Sequence, residues 1–289
     1  LRSAATLAEG AWASPSAWSE HELCTCCSGQ NRAHGTDGGT VFPLPYEQPI
    51  AGILYLLFVL EVTLLAGGLR FGRLNEEGTG RLPRWLRVLL SASLVIAAFL
   101  GWQGSAQHGA VQSYAALVLW GMAAGLIGDL IMARLIPVPQ RLVFGMIAFG
   151  VGHLLYARAL YHLVGLWSLR EAGKPMAILL LTLGFCAWAW YTQVRKPGGS
   201  KVLNLGSLAY GWLIGTVVAL AIWVALQDAR FVPLALGALL FLASDFVLGN
   251  WVIRGHVWRS VNDVIWVTYV CGQLLIVYSV APVWRAWSA

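Results

Sequence analysis

Eight apolar runs of roughly twenty residues each, divided by short connections rich in charge, Pro or Gly, leave this chain few ways to fold. The runs are Ile50–Leu69, Leu86–Trp102, Gln112–Leu135, Leu142–Val164, Pro175–Val194, Leu205–Leu226, Phe231–Ile253 and Val261–Trp284. A helix rising about 1.5 Å per residue crosses the hydrocarbon layer in such a length. Only 11% of the residues are charged and 58% are hydrophobic, against about 25% charged in a soluble domain. A water-facing globule is therefore excluded, and the expected fold is an all-α, polytopic membrane bundle of about eight helices. The 15 Trp and 9 Tyr residues suit the headgroup level at the ends of spans.

The expected organisation is a leader over residues 1–49, a transmembrane domain over 50–284 and a short tail over 285–289. Residues 1–40 lack apolar periodicity and hold no methionine, so they read as disordered or as translated upstream sequence. Cys24, Cys26 and Cys27, with His21 and His34 nearby, do not have the regular pair spacing of a zinc site, and no metal is expected there.

The net charge of +6 is not gathered on a polar domain, which argues against nucleic acid as a partner and for membrane lipids. Twelve Lys and Arg residues fall in the connections after runs one, three, five and seven, and six on the other side. By the retention of basic loops in the cytoplasm, these connections should be cytoplasmic and both termini should face away. A bacterial protein of this kind would reside in the inner membrane.

Ionisable groups inside spans are expensive and mark function or a register-fixing network. They are Glu61, Asp129, His153, Arg158 and Asp245. Gly121, Gly125 and Asp129 share one helical face, as do Gly237, Phe241, Asp245 and Gly249, so small residues lead a packed neighbour to each carboxylate. Asp129, Asp245, His153 and Gln273 should lie roughly 9–18 Å below the cytoplasmic surface and converge. Tyr156, one turn from His153, and Ser244, beside Asp245, belong to the same candidate group. Glu61 and Arg158 suit an ordinary ion pair or a snorkelling Arg. Each half of the chain offers an intramembrane Asp and then Gly-polar-Leu-Leu on the next span, Gly152-His153-Leu154-Leu155 and Gly272-Gln273-Leu274-Leu275, which suggests a four-plus-four repeat. No HExxH, GxSxG, P-loop or GxGxxG motif occurs in a suitable setting.

Four segments, GLIGDLIM (125–132), FGVGHLLYARAL (149–160), GALLFLASDFVLG (237–249) and YVCGQLLIVYS (269–279), resemble in order and spacing the motifs of the YhhN family, the lysoplasmalogenases. The resemblance covers roughly residues 50–282. It implies an ether hydrolase that cleaves the vinyl ether bond of a lysoplasmalogen, releasing a fatty aldehyde and a glycerophospho-ethanolamine or -choline. It also implies Asp129 and Asp245 as the catalytic pair and His153 as a site histidine. Tyr156, Ser244, Tyr269 and Gln273 join His153 as candidate substrate-binding residues.

Vinyl ether cleavage needs one acid and one base, which two carboxyls in a low dielectric supply by holding different protonation states. It requires no metal and no organic cofactor. A transporter or channel using the same aspartates for protons or cations, and a non-catalytic lipid-binding protein, are the alternatives the residues leave open.

Overall fold

The computed structural model describes residues 44–164 and 173–288. Among these all the regular secondary structure is helical. Its helices are α1 (Ile50–Phe71), α2 (Arg84–Gly104), α3 (Gly109–Met132), α4 (Arg141–Val164), α5 (Gly173–Ala189), α6 (Lys201–Gln227), α7 (Val232–Gly249), α8 (Val261–Val277) and α9 (Val280–Ser288). Eight segments are long and apolar enough to cross a membrane, α8 and α9 together forming the last. The protein is an integral, multi-pass membrane protein. Each span matches an apolar run of the sequence, because in lipid only a helix satisfies every backbone N–H and C=O within its own segment.

Two spans end differently from the rest. α5 and α7 pass into π-helical turns, Trp190–Val194 and Asn250–Arg254, and these turns pack together. The Asn250 amide donates to the Gln193 carbonyl at 2.6 Å.

Backbone-to-backbone approach sets the two tightest helix pairs. On α3 and α4, a Cβ at Gly121 would lie 2.3 Å from the Tyr156 ring, and one at Gly152 would lie 2.9 Å from the Gly121 carbonyl. On α7 and α8, a Cβ at Gly237 would meet the Gly272 carbonyl at 2.9 Å, and one at Gly272 the Gly237 carbonyl at 2.8 Å. Small residues permit such packing where no hydrophobic drive exists between helices in lipid. The likeness extends to the donors Ser91 on α2 and Tyr210 on α6, which each bond the aspartate of the next odd-numbered helix, but Tyr269 of α8 bonds Asp129 with no α4 counterpart at Asp245 among the described residues, so a duplication of halves is not established. α1 packs mainly on α2, and α5 mainly on α6.

The α1–α2 connection clamps the start of α8. Asn75 accepts from the backbone N–H of Thr79 and Gly80, and Arg81 bonds Asp263 through its backbone N–H at 2.6 Å and its guanidinium at 3.1 Å. An acid in the first turn of α8 also suits the helix dipole.

At the opposite end, Leu44 and Tyr46 are buried, and the Tyr46 ring meets Trp284 edge-on at 5.3 Å. The expected leader therefore contributes its last residues to the packed body, while residues 1–43, with the CTCC cluster, lie outside the described residues. The expected tail is continuous with α9 as far as Ser288.

Of the two readings open for Glu61 and Arg158, the ion pair does not form among the described residues. Glu61 is fully buried on α1 with neither carboxyl oxygen hydrogen-bonded, and Arg158 is exposed.

Candidate active site

Asp129 sits one turn before the end of α3, on the face that Gly121 and Gly125 open to neighbouring helices. It is buried, and its Oδ2 accepts the Ser91 hydroxyl from α2 at 2.6 Å and the Tyr269 hydroxyl from α8 at 2.7 Å. Asp245, half-buried on α7, accepts the Tyr210 hydroxyl of α6 on its own Oδ2 at 2.5 Å. These bonds each bring a hydroxyl hydrogen onto a carboxyl oxygen. They offset part of the cost of holding each group in an apolar bundle.

Both aspartates line one cavity of about 600 Å³. Its walls come from α2, α3, α4, α7 and α8, and it reaches the face formed by the connections after α1, α3 and the π turn of α7. Arg84, Arg87, Arg134 and Arg141 stand towards that mouth, together with Glu77, Trp251 and Asn262. A second, narrow and apolar cleft runs between α4, α6 and α7 and is bounded by the two π turns. The two spaces share Met132, Phe149, Asp245 and Leu248. Asp245 thus stands where a polar chamber meets an apolar slot.

Of the residues singled out by sequence, Asp129, Asp245, Ser244 and Tyr269 are on the cavity wall. The Ser244 hydroxyl is committed to the Ile265 carbonyl at 3.1 Å, tying α7 to α8, and that of Tyr269 to Asp129. His153, Tyr156 and Gln273 do not line the cavity but form a packed layer beside it. Tyr156 donates to the Gln273 side-chain carbonyl at 3.0 Å. His153 is 2% exposed, edge-on to Phe241 at 4.5 Å, with no hydrogen bond to either ring nitrogen. Its ring also faces Tyr210 and Tyr156 at 5.8 and 6.1 Å, so it buttresses the tyrosine that serves Asp245. Among the described residues no three His, Cys, Asp or Glu side chains gather as metal ligands.

Three contributors escaped the sequence reading: Ser91, Tyr210 and Arg87. The first two are uncharged, and a search for ionisable groups within spans passes over them. A search for hydroxyls on inward faces would have included both.

A multi-pass membrane protein with two hydrogen-bonded carboxyls at the junction of a polar chamber and an apolar slot is the class these features define. The chain belongs to the YhhN family, whose model matches residues 84–280. That span contains both aspartates and all three of their hydroxyl partners. No curated protein and no solved structure matches the chain.

Proposed function

We propose that this protein is a membrane-embedded ether hydrolase that cleaves the vinyl ether of lysoplasmalogens, and that Asp129 and Asp245 are its acid–base pair. The observation that carries the reading is the position of both carboxyls on one chamber wall, with Asp245 at the joint to an apolar slot. A single-chain lipid has the matching form, with an alkenyl chain for the slot, a polar head for the chamber and the reacting bond between them. Family membership supports the same chemistry.

In the proposed reaction the acid protonates the β-carbon of the vinyl ether, and the resulting oxocarbenium ion is held by the anionic partner. Water adds to the α-carbon and yields its proton to the base. The hemiacetal then collapses to aldehyde and alcohol, and the transferred protons restore both carboxyls to their starting states. Asp129, with two hydroxyl donors and Arg87 on the same wall, is suited to the anionic role. Asp245, with one donor and an apolar neighbour space, is suited to deliver the proton.

Purified protein should release a fatty aldehyde from a lysoplasmenyl lipid. Asp129→Asn and Asp245→Asn should each lower the rate by at least about 10²-fold with insertion retained. Near-normal turnover by both variants sinks the assignment.

A further inference from the structure

The mouth of the chamber carries four guanidinium groups, Arg84, Arg87, Arg134 and Arg141, against one carboxylate, Glu77. Elsewhere in the protein Arg81 and Arg230 are paired with Asp263 and Asp228. The mouth arginines make no such pair among the described residues. Arg87 is held against Trp266, its guanidinium carbon 5.5 Å from the ring centroid, and its Nε is buried with no hydrogen-bond partner. A buried donor left unmade costs the desolvation of that group, so its partner is to be sought among molecules that fill the chamber.

The backbone adds to the same field. α2 starts with Arg84 and Arg87 in its first turn, with no acidic residue there and no side-chain cap. α4 starts with Arg141, again without an acid in its first turn. Arginine is misplaced at a positive helix end unless an anion shares the site. Arg134 follows α3 with φ +62°, a left-handed conformation that suits glycine better than arginine. An uncompensated cluster in a strained setting is more often function than stability.

We infer that this mouth is a phosphodiester subsite, and that the ligand is the headgroup phosphate of a single-chain glycerophospholipid whose chain enters the apolar slot. The inference rests on the reading of the chamber as a lipid site, and it adds the group by which one class of lipid is selected. Guanidinium forks match phosphate oxygens through paired charge-assisted bonds. The phosphate remains at the mouth, separated from the two aspartates by the length of the glycerol. Arg87 is half-buried and Arg134 exposed, and Phe149 and Leu248 belong to the walls of both spaces, joining the place of the head to that of the chain.

The test is a binding titration on the full chain in neutral detergent. The probes are an ester lysophosphatidylethanolamine, which contains no vinyl ether, the monoacylglycerol of the same chain, and chainless glycerophosphoethanolamine. The phospholipid should bind at least about tenfold more tightly than the monoacylglycerol, the scale of one charge-assisted bond. Arg87→Met and Arg134→Gly should each cut that preference by at least about threefold, with Arg87→Lys retaining part of it. Equal affinities in the wild type overturn the inference, as does an unchanged preference in both variants when neither is less thermally stable than the wild type. Displacement of the lysolipid by an equal concentration of chainless glycerophosphoethanolamine would assign the site to a free phosphodiester and overturn the lipid assignment. No bond is broken in this titration. A protein that prefers the phospholipid yet releases no aldehyde refutes the hydrolase and leaves the subsite standing.

Discussion

Tyr210→Phe isolates one hydrogen bond at the centre of the proposed chemistry. The Tyr210 hydroxyl is the single protein donor to Asp245 among the described residues, at 2.5 Å, while its ring is part of the apolar slot and packs 5.8 Å from His153. Phenylalanine keeps the ring and removes the donor. If Asp245 gives up a proton in the rate-limiting step, the bond strengthens as the carboxylate forms, so its loss falls on kcat and leaves KM nearly unchanged. A hydrogen bond to a charged group contributes about 1.5–3 kcal/mol. At 1.36 kcal/mol per factor of ten, turnover should fall by roughly 10- to 150-fold. Asp129 provides the internal comparison, because Ser91→Ala leaves it the Tyr269 donor and should cost less than Tyr210→Phe. The assay is aldehyde release by purified, folded protein at saturating and limiting lysoplasmenyl lipid. Turnover by Tyr210→Phe within about twofold of wild type would refute the assignment of Asp245 as the acid.

Gly237→Ala should lower stability by about 1–3 kcal/mol, because the added methyl would lie 2.8 Å from the Leu275 Cβ and 2.9 Å from a backbone carbonyl; an unchanged thermal midpoint in detergent would contradict the close packing of α7 on α8. Arg134→Gly should raise stability by about 0.5–1 kcal/mol, since relief of the left-handed backbone outweighs the added freedom of glycine in the unfolded chain; a lowered midpoint would show that the arginine has a structural bond. Reporter fusions at Arg73 and Lys196 should report a cytoplasmic location, as the surplus of basic residues on that face requires; activity of an extracytoplasmic reporter at either site would reverse the orientation.

The spans were legible because each depends on a local property, twenty or so apolar residues between breaks, and α1 to α8 follow those runs closely. The aspartates were legible for a related reason, since a carboxyl inside such a run is costly wherever it points. What the sequence could not disclose was partnership across distance. Tyr269 and Asp129 are 140 positions apart, and nothing local marks the tyrosine as a carboxylate donor rather than an interfacial ring. His153 is a different case. An intramembrane histidine invites a site role, and the YhhN resemblance reinforces it, but the ring lies among aromatics behind the wall. Charge alone left an ion pair or a snorkelling Arg open for Glu61 and Arg158, and burial separates the two readings, with Glu61 enclosed and Arg158 exposed. The π turns are not encoded in apolar periodicity, whereas the break at Tyr278 and Ser279 between α8 and α9 has a local cause, since Pro282 has no N–H for the Tyr278 carbonyl one turn before it.

The paired π turns at the ends of α5 and α7 bear on how the protein tolerates changes in length. One residue inserted into or deleted from an α-helix turns everything beyond it by about 100°, which in a bundle exchanges lipid-facing for buried side chains. A π turn absorbs an extra residue by widening once. Asp245 lies five positions before the turn that starts at Asn250, on the regular side of it. Additions or losses in the segment from Trp251 to Arg259 should be taken up in that turn, leaving the aim of the carboxyl unchanged. The connection that borders the chamber mouth is therefore free to vary in length without resetting the helix that carries the proposed acid.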